Sequence, residues 1–103
     1  MSRQSRGAAR ERIVAEELRA EGWIVKGTGD AHGAIDLIAL KRGERPRVLQ
    51  IKGNVAGGPF MNFRQPERSL IQQEALQADA DAWLVYAPPD RKAPRWLHPG
   101  EWP

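Results

Sequence analysis

The chain has 103 residues and a mass of 11.5 kDa, a length that predicts one domain over residues 1–103 and excludes a second, substrate-binding domain. It contains no cysteine, which excludes a disulfide framework, a zinc ribbon and a thiol nucleophile and favours a reducing compartment such as the cytoplasm. No apolar stretch approaches the length of about 20 residues that spans a bilayer, and the one at residues 35–40 contains an aspartate, so we expect no membrane span.

The charge balance points to a class of partner. Lys and Arg number 16 against 13 Asp and Glu, for a net charge of +3 and a pI near 9.8. A basic excess on a small domain indicates a nucleic-acid partner. Part of this excess lies near the start of the chain, at Arg3, Arg6, Arg10 and Arg12. We expect residues 1–6 to form a flexible basic arm, which is either a solvated tail or a segment that contacts phosphates.

Hydrophobic periodicity and turn residues predict two helices, over residues 7–21 and 66–80. The first helix is expected to end at Gly22, because glycine favours the position that follows a helix. Strands are expected at residues 23–26, 35–40, 47–52, 83–87 and 95–98. The strands at 35–40 and 47–52 are close enough in sequence to form an antiparallel hairpin. This order predicts an α/β fold, a mixed sheet with one helix on either side.

Glu11 is the first candidate site residue. It precedes Val14 and Leu18 by three and seven residues, so the three side chains share one helix face. A carboxylate on a face that packs against the core needs a partner, such as a metal ion, a cation or several N–H donors. The alternative is a frayed helix start, where a carboxylate interacts favourably with the helix dipole.

Further candidates lie in the predicted hairpin. Asp36 interrupts a strongly apolar strand, although aspartate is disfavoured in strands and is rarely buried without a partner. Gln50 and Lys52 are two residues apart, so they point to the same side of a strand. Each observation also has an ordinary explanation. Asp36 could cap the turn at Gly33, and Gln50 and Lys52 could line the solvated side of a half-exposed strand.

Taken together, these residues favour a metal-dependent hydrolase. A hard divalent ion takes oxygen ligands, which Glu11, Asp36, the amide of Gln50 and the backbone carbonyl of Ile51 can supply. Mg²⁺ (or Mn²⁺) retains water, and a bound water whose pKa is lowered is a nucleophile. Lys52 is expected beside the attacked phosphate, where it stabilises developing charge and orients that water or helps to deprotonate it.

Two sequence patterns resemble known nucleases. Asp36 followed fourteen residues later by Gln50-Ile51-Lys52 resembles the motif of the PD-(D/E)xK nucleases, the restriction-endonuclease-like superfamily. The start of the chain is similar to archaeal-type (Hjc-like) Holliday junction resolvases, which have a glycine, a catalytic glutamate four residues on and a Gly–aromatic pair where the helix ends. The corresponding residues here are Gly7, Glu11, Gly22 and Trp23. The resemblance extends from residue 7 to residue 96, and its first half is the specific part.

The resemblance implies a fold and an activity. The fold is the restriction-endonuclease-like mixed central sheet flanked by helices. The activity is that of a metal-dependent, structure-specific DNA endonuclease that resolves four-way junctions by paired phosphodiester hydrolysis. In this chain the resemblance implies that Glu11, Asp36 and Gln50 bind the metal ion and that Lys52 is the catalytic lysine.

Two of the departures from the family pattern bear on the site; a third, Ile35 before the aspartate, is harmless. The family usually has glutamate where this chain has Gln50. The missing negative charge predicts weaker metal binding and leaves open an inactive protein. The family often has a functional serine in the glycine-rich loop before the aspartate, where this chain has Thr28 and Asp30. Asp30 could supply a further carboxylate or form a turn, so neither residue is assigned the role of the serine.

The expected substrate implies an assembly and a DNA surface. A near two-fold junction needs two matching cuts and a chain of this length holds one site, so we expect a C2 homodimer. Its interface is expected on Trp83, Leu84, Trp96 and Leu97, unless these residues belong to the core of the monomer. Such an enzyme recognises shape and backbone charge. The expected DNA-binding residues are Arg3, Arg6, Arg10, Arg12, Lys26 and Arg64, with Lys41 and Arg42 as further candidates.

Aromatic residues in the glycine-rich segment 53–65 also have two interpretations. Phe60 and Phe63 lie beside Arg64, and aromatics next to a cation stack on unpaired bases at a branch point. They could equally anchor the loop in the core. His32 either touches phosphate or is solvated.

Three other functions are compatible with the sequence. The first is a related nuclease acting on flaps, forks or duplex DNA. The second is a non-catalytic protein that binds branched DNA, which Gln50 makes plausible. The third is a basic RNA-binding or ribosome-associated protein.

Overall fold

The computed structural model describes residues 3–29, 33–53, 65–87 and 94–102, with side chains omitted at residues 3–8 and 65. The described α-helices are α1 (Arg3–Ala20) and α2 (Gln65–Gln77). The strands are β1 (Ile24–Gly27), β2 (Leu37–Leu40), β3 (Arg47–Lys52), β4 (Asp81–Tyr86) and β5 (Arg95–Leu97), and a 3₁₀ helix spans Pro99–Glu101. Within these ranges, neither α-helix is long and apolar enough to cross a membrane.

The strands form a mixed sheet in the order β1-β2-β3-β4-β5. Strands β1, β2 and β3 pair as antiparallel neighbours, which confirms the predicted hairpin. Strand β4 runs parallel to β3, and β5 is antiparallel to β4. A parallel pair needs a crossover connection, and helix α2 lies in it.

Alternation along the strands divides the core between the two faces of the sheet. Val14 and Leu18 of α1 pack on one face with Leu49 of β3, and all three are fully buried. On the other face, Ile71 of α2 packs with Leu84 of β4, and both are fully buried. The predicted α/β fold with one helix on either side of a mixed sheet is therefore confirmed.

Helix α1 differs from its prediction at its start and agrees at its end. It begins at Arg3, so residues 3–6, expected as part of a loose arm, lie in the helix. It ends at Ala20, and the N–H of Trp23 donates to the carbonyl of Leu18 at 3.1 Å. This bond closes a Schellman-type end, which needs a left-handed residue, and Gly22 supplies it with φ +95°.

Strand β2 is shorter than predicted. It begins at Leu37 rather than at Ile35, so Asp36 directly precedes the strand instead of interrupting it. The N–H of Asp36 donates to the carbonyl of Leu49 at 2.7 Å, and its carboxylate accepts from the N–H of Ile51. The Asp36 carboxylate thus accepts the hydrogen bond from Ile51 N–H that a backbone carbonyl of a paired strand would otherwise accept.

The second half of the chain shows smaller shifts. Helix α2 ends at Gln77 rather than near residue 80, because Asp79 takes the left-handed conformation, with φ 52°, and Ala80 N–H donates to Ala75 at 2.8 Å. Strand β4 begins at Asp81, two residues before the predicted start. The end of the chain was expected to be loose, but Pro99–Glu101 form a 3₁₀ helix with a capping box at His98.

The four residues considered for a dimer interface do not form a single surface. Leu84 and Leu97 are buried on the α2 face of the sheet, within the core of the monomer. Trp83 and Trp96 lie on the opposite face, partly buried against the α1 side. Alternation along β4 and β5 separates the two pairs.

The tryptophans instead surround a cation. The guanidinium of Arg47, at the start of β3, lies 4.4 Å from the ring centroid of Trp23, 5.5 Å from Trp83 and 5.6 Å from Trp96. Trp83 and Trp96 meet edge to face at 5.7 Å. The indole N–H of Trp96 donates to Glu17 of α1 at 3.3 Å. This cluster fills the space between the end of α1 and the sheet.

Candidate active site

The candidate site lies where β3 ends. Gln50 and Lys52 project from β3 towards the α2 face, while Leu49 and Ile51 project towards α1, as the sequence alternation predicts. Asp36 reaches the same place from the residue before β2, because β2 and β3 are paired with Leu37 opposite Leu49. The structure thus brings Asp36 and Gln50 into direct contact and places Lys52 beside them.

Asp36 is held by two hydrogen bonds to one oxygen. Its Oδ2 accepts from the backbone N–H of Ile51 at 2.8 Å and from Nε2 of Gln50 at 3.0 Å. Burial raises the pKa of Asp36 above its usual 3.8, although the Ile51 N–H and the charge of Lys52 act in the opposite direction. A carboxylate that is oriented by donors and also partly desolvated gains from a nearby cation.

The amide of Gln50 is buried and has a defined orientation. The residue is 7% exposed, and its Nε2 is engaged by Asp36. Its Oε1 is buried and has no hydrogen-bond partner in the described part of the chain. A buried amide oxygen without a donor is costly. The oxygen is therefore a natural ligand for a cation placed next to Asp36.

Glu11 comes to the site from α1. Its side chain is half-buried, while Val14 and Leu18 one and two turns later are fully buried. Partial burial raises the pKa of Glu11 above its usual 4.5, and the charge of Asp36 raises it further. The two carboxylates therefore lie within electrostatic range of each other.

Glu67, in the first turn of α2, is a neighbour that the sequence did not reveal. Its Oε2 lies 3.2 Å from Nζ of Lys52, and its charge raises the pKa of Asp36. In the sequence, an acid directly after Pro66 is explained by the helix dipole alone. Nothing in the local pattern relates it to Lys52, from which it is separated by the segment 53–65.

These residues fit a hard divalent cation. Glu11 and Asp36 offer carboxylates and Gln50 offers the unpartnered amide oxygen, which are the oxygen donors that Mg²⁺ and Mn²⁺ accept. Among the described residues, no three His, Cys, Asp or Glu side chains are grouped closely enough to hold a metal ion. The group at Asp36 has an amide in place of a third acid, so its donor set is less charged.

Arg10 lies next to the site. A methyl group at Gly53, directly after Lys52, would overlap the guanidinium of Arg10, so the absence of a side chain there allows the arginine to lie over the end of β3. Arg10, which we expect to contact DNA, therefore places its positive charge near Lys52. Arg12 and Lys26 are exposed, as a binding surface requires.

Other predicted contacts are distributed differently. Lys41 and Arg42 are exposed in the β2–β3 turn, and Lys41 donates to the carbonyl of Glu21 at 2.7 Å. Thr28 has a structural role. Its hydroxyl donates to the carbonyl of Ile35 at 2.6 Å and so connects the glycine-rich loop to the residue before Asp36. The remaining predicted side chains lie outside the described residues: Arg3, Arg6, Asp30, His32, Phe60, Phe63 and Arg64.

Comparison with known proteins gives a relationship in structure and none in sequence. No family model matches the chain, and no curated protein matches it. Among solved structures, the chain is similar to Hjc from Archaeoglobus fulgidus, a Holliday junction resolvase from an archaeal hyperthermophile, with a TM-score of 0.70 and 19% sequence identity. The similarity covers 90% of this chain and 72% of that one. The chain therefore has the nuclease-like α/β fold of this archaeal Holliday junction resolvase.

Proposed function

We propose that the protein is a divalent-metal-dependent DNA endonuclease that cleaves four-way junctions by phosphodiester hydrolysis. The observation that carries the proposal is the contact between Asp36 and Gln50. It leaves a buried amide oxygen without a partner beside a desolvated carboxylate. Glu11 and Lys52 adjoin this pair, and the whole arrangement lies on the fold of a resolvase.

Each residue has a distinct part in the chemistry. Glu11, Asp36 and Gln50 would hold the cation, and the Ile51 N–H keeps the Asp36 carboxylate oriented towards it. When bound, Mg²⁺ or Mn²⁺ supplies an activated water and neutralises charge on the phosphate. The ammonium of Lys52 would stabilise negative charge that develops on the phosphate and orient the attacking water.

The substrate class follows from charge and from the location of the cations. A basic chain binds phosphates through arginine and lysine without recognising base edges. Arg10 lies over Gly53 beside Lys52, and Arg12 and Lys26 are exposed. Paired cuts in a junction need two such sites, so we propose that the protein acts as a homodimer.

Cleavage of a synthetic four-way junction tests the proposal. We expect paired nicks with Mg²⁺ or Mn²⁺ and none with EDTA. Lys52→Ala is expected to abolish cleavage while junction binding is retained, and Arg45→Ala, which removes an exposed cation at the opposite end of β3, is expected to cleave as the wild type does. Absence of cleavage by the wild type with either metal would contradict the proposal.

A second candidate is a non-catalytic protein that binds branched DNA. It is favoured by the hydrogen bond from Gln50 to Asp36, because an amide donor stabilises the carboxylate without a cation. This function predicts tight junction binding and no cutting, even by Gln50→Glu in excess Mn²⁺. Flaps, forks, duplex DNA and duplex RNA at one salt concentration would show which substrate is preferred.

A further inference from the structure

The pairing of Lys52 with Glu67 has no counterpart in the site implied by the sequence. Lys52 Nζ and Glu67 Oε2 are 3.2 Å apart, and the lysine side chain is 17% exposed. The same Oε2 atom is buried and has no directional hydrogen bond among the described residues, so the contact is an ion pair. The Glu67 side chain is 40% exposed, so the pair is buried mainly at its lysine end and is screened less than a pair of fully exposed side chains.

The pair also joins two elements. Lys52 ends β3 and Glu67 lies in the first turn of α2. A lysine has a flexible four-carbon stem and gives no fixed geometry by itself. The carboxylate of Glu67, on the helix that packs over β3 and β4, holds the free end of the lysine side chain in place. Glu67 also changes the charge of the site, since Gln50 contributes no negative charge to it.

We propose that Glu67 is a positioning residue of the site: it holds the Lys52 ammonium on the face that Asp36 and Gln50 share, and it returns from α2 the negative charge that position 50 lacks. This inference rests on the proposed nuclease function. Glu67 acts through Lys52, and no contact of its own with the cation or the phosphate is required. The role predicts that its loss slows the chemical step more than it weakens substrate binding.

The activity test compares Glu67→Gln with Glu74→Gln, which makes the same charge change further along α2. In single-turnover junction cleavage we expect Glu67→Gln to be slower by about tenfold or more, because small displacements of a catalytic group are costly. Junction affinity in the absence of metal should change by less than about twofold, since phosphate contacts determine it. Glu67→Asp, which keeps the charge, should recover part of the rate, and Glu74→Gln should match the wild type.

A second measurement does not depend on activity. The ammonium groups of lysines can be followed by ¹⁵N NMR in the protein without metal or DNA, and an ammonium held in an ion pair gives a sharper signal than a solvated one. We expect the Lys52 signal to broaden or vanish in Glu67→Gln and to persist in Glu74→Gln. Thermal unfolding of each variant shows whether it is folded.

The two measurements separate the outcomes. An unchanged cleavage rate in Glu67→Gln would overturn the positioning role while leaving the nuclease function intact. An unchanged Lys52 signal would overturn the pairing itself. If the wild type does not cleave under any metal condition, the nuclease function fails, and the positioning role fails with it even if the NMR signal shows the ion pair.

Discussion

Nε2 of Gln50 lies 3.0 Å from Oδ2 of Asp36. This contact determines which way the amide faces, because its nitrogen is used and its oxygen is left buried without a donor within the described residues. With a carboxylate at position 50 the same geometry would place two anions in contact, which is unfavourable without a cation between them. The amide therefore stabilises the site without metal and lowers the charge available to bind one.

Gln50→Glu is expected to strengthen metal binding and to lower the stability of the folded protein when metal is absent. The reason is that a second buried anion beside Asp36 is repelled until a cation is bound. Melting temperature measured with and without Mg²⁺ should show a larger increase on metal addition for this variant than for the wild type. Gln73→Glu, an exposed change on α2, is the control, and an equal increase in both variants would speak against the metal site.

Glu11→Gln tests the electrostatics of the site through pH. The pKa of Glu11 is raised in the folded protein above its usual 4.5, so the folded state retains the proton more strongly than the unfolded state. Stability then falls as pH rises from about 4.5 through the raised pKa, and the penalty is complete at neutral pH. Because glutamine does not titrate, we expect Glu11→Gln to be more stable than the wild type at pH 7 and to lose this advantage below pH 4.5.

Thermal unfolding across this pH range is the measurement, with exposed Glu16→Gln on the same helix as the control. Mg²⁺ should reduce the advantage of Glu11→Gln, because a cation stabilises the charged carboxylates of the wild type. A constant difference between the two proteins at every pH would count against the raised pKa.

Gly53→Ala should weaken DNA binding without unfolding the protein. The added methyl group would overlap the Arg10 guanidinium, which is at the end of a flexible side chain and can move away. We expect junction affinity to fall to the level of Arg10→Ala, and the double variant to bind no more weakly than either single one. Fluorescence anisotropy at fixed salt measures this, and additive losses in the double variant would show that Gly53 acts independently of Arg10.

Arg47→Ala should cost more stability than Arg45→Ala, although both remove an arginine. Arg47 lies over Trp23 at 4.4 Å and contacts two further indoles, so its loss should cost about 2 kcal/mol in cation–π energy and packing. Arg45 pairs with Asp81 at the surface, with both side chains at least half exposed, which is worth about 0–1 kcal/mol. Urea unfolding followed by far-UV circular dichroism distinguishes them, and equal losses would exclude a structural role for the tryptophan cluster.

Asp79→Gly should stabilise the protein slightly. Asp79 follows α2 with φ 52°, a left-handed conformation that glycine adopts at less cost, and its negative charge lies at the unfavourable end of the helix dipole. We expect a gain of about 0.5–1 kcal/mol in the free energy of unfolding. Asp79→Asn separates charge from backbone conformation, since it removes only the charge, and a loss of stability in Asp79→Gly would show that the aspartate side chain has a favourable contact.

Much of the fold was predictable because it follows from local periodicity. The side chains of β3 alternate between the two faces, so the placement of Gln50 and Lys52 on one side followed from their spacing. The end of α1 at Gly22 followed from the left-handed conformation that glycine accepts. The start of β2 at Leu37 was missed, because the bonds from Asp36 to Leu49 and Ile51 depend on strand register.

The members of the candidate site were proposed from the sequence, whereas their contacts were not. Glu11, Asp36, Gln50 and Lys52 were identified from spacing and from a family resemblance, and only strand pairing and helix packing bring them together. Glu67 was not identified from the sequence, because the helix dipole already explains an acid in the first turn of a helix. Leu84 and Leu97 could not be assigned to an interface or to the core from the sequence, because an apolar strand does not reveal whether a helix covers it.

By itself the sequence determined the types of the elements and the order in which they occur, since these depend on neighbours a few positions apart. Tertiary structure decided that β3 and β4 run parallel, that the Gln50 amide donates to Asp36, and that Trp96 meets Glu17, 79 residues earlier in the chain. The physical reason is that such contacts arise only when distant segments pack against one sheet, where burial and unpaired polar groups determine the geometry of each.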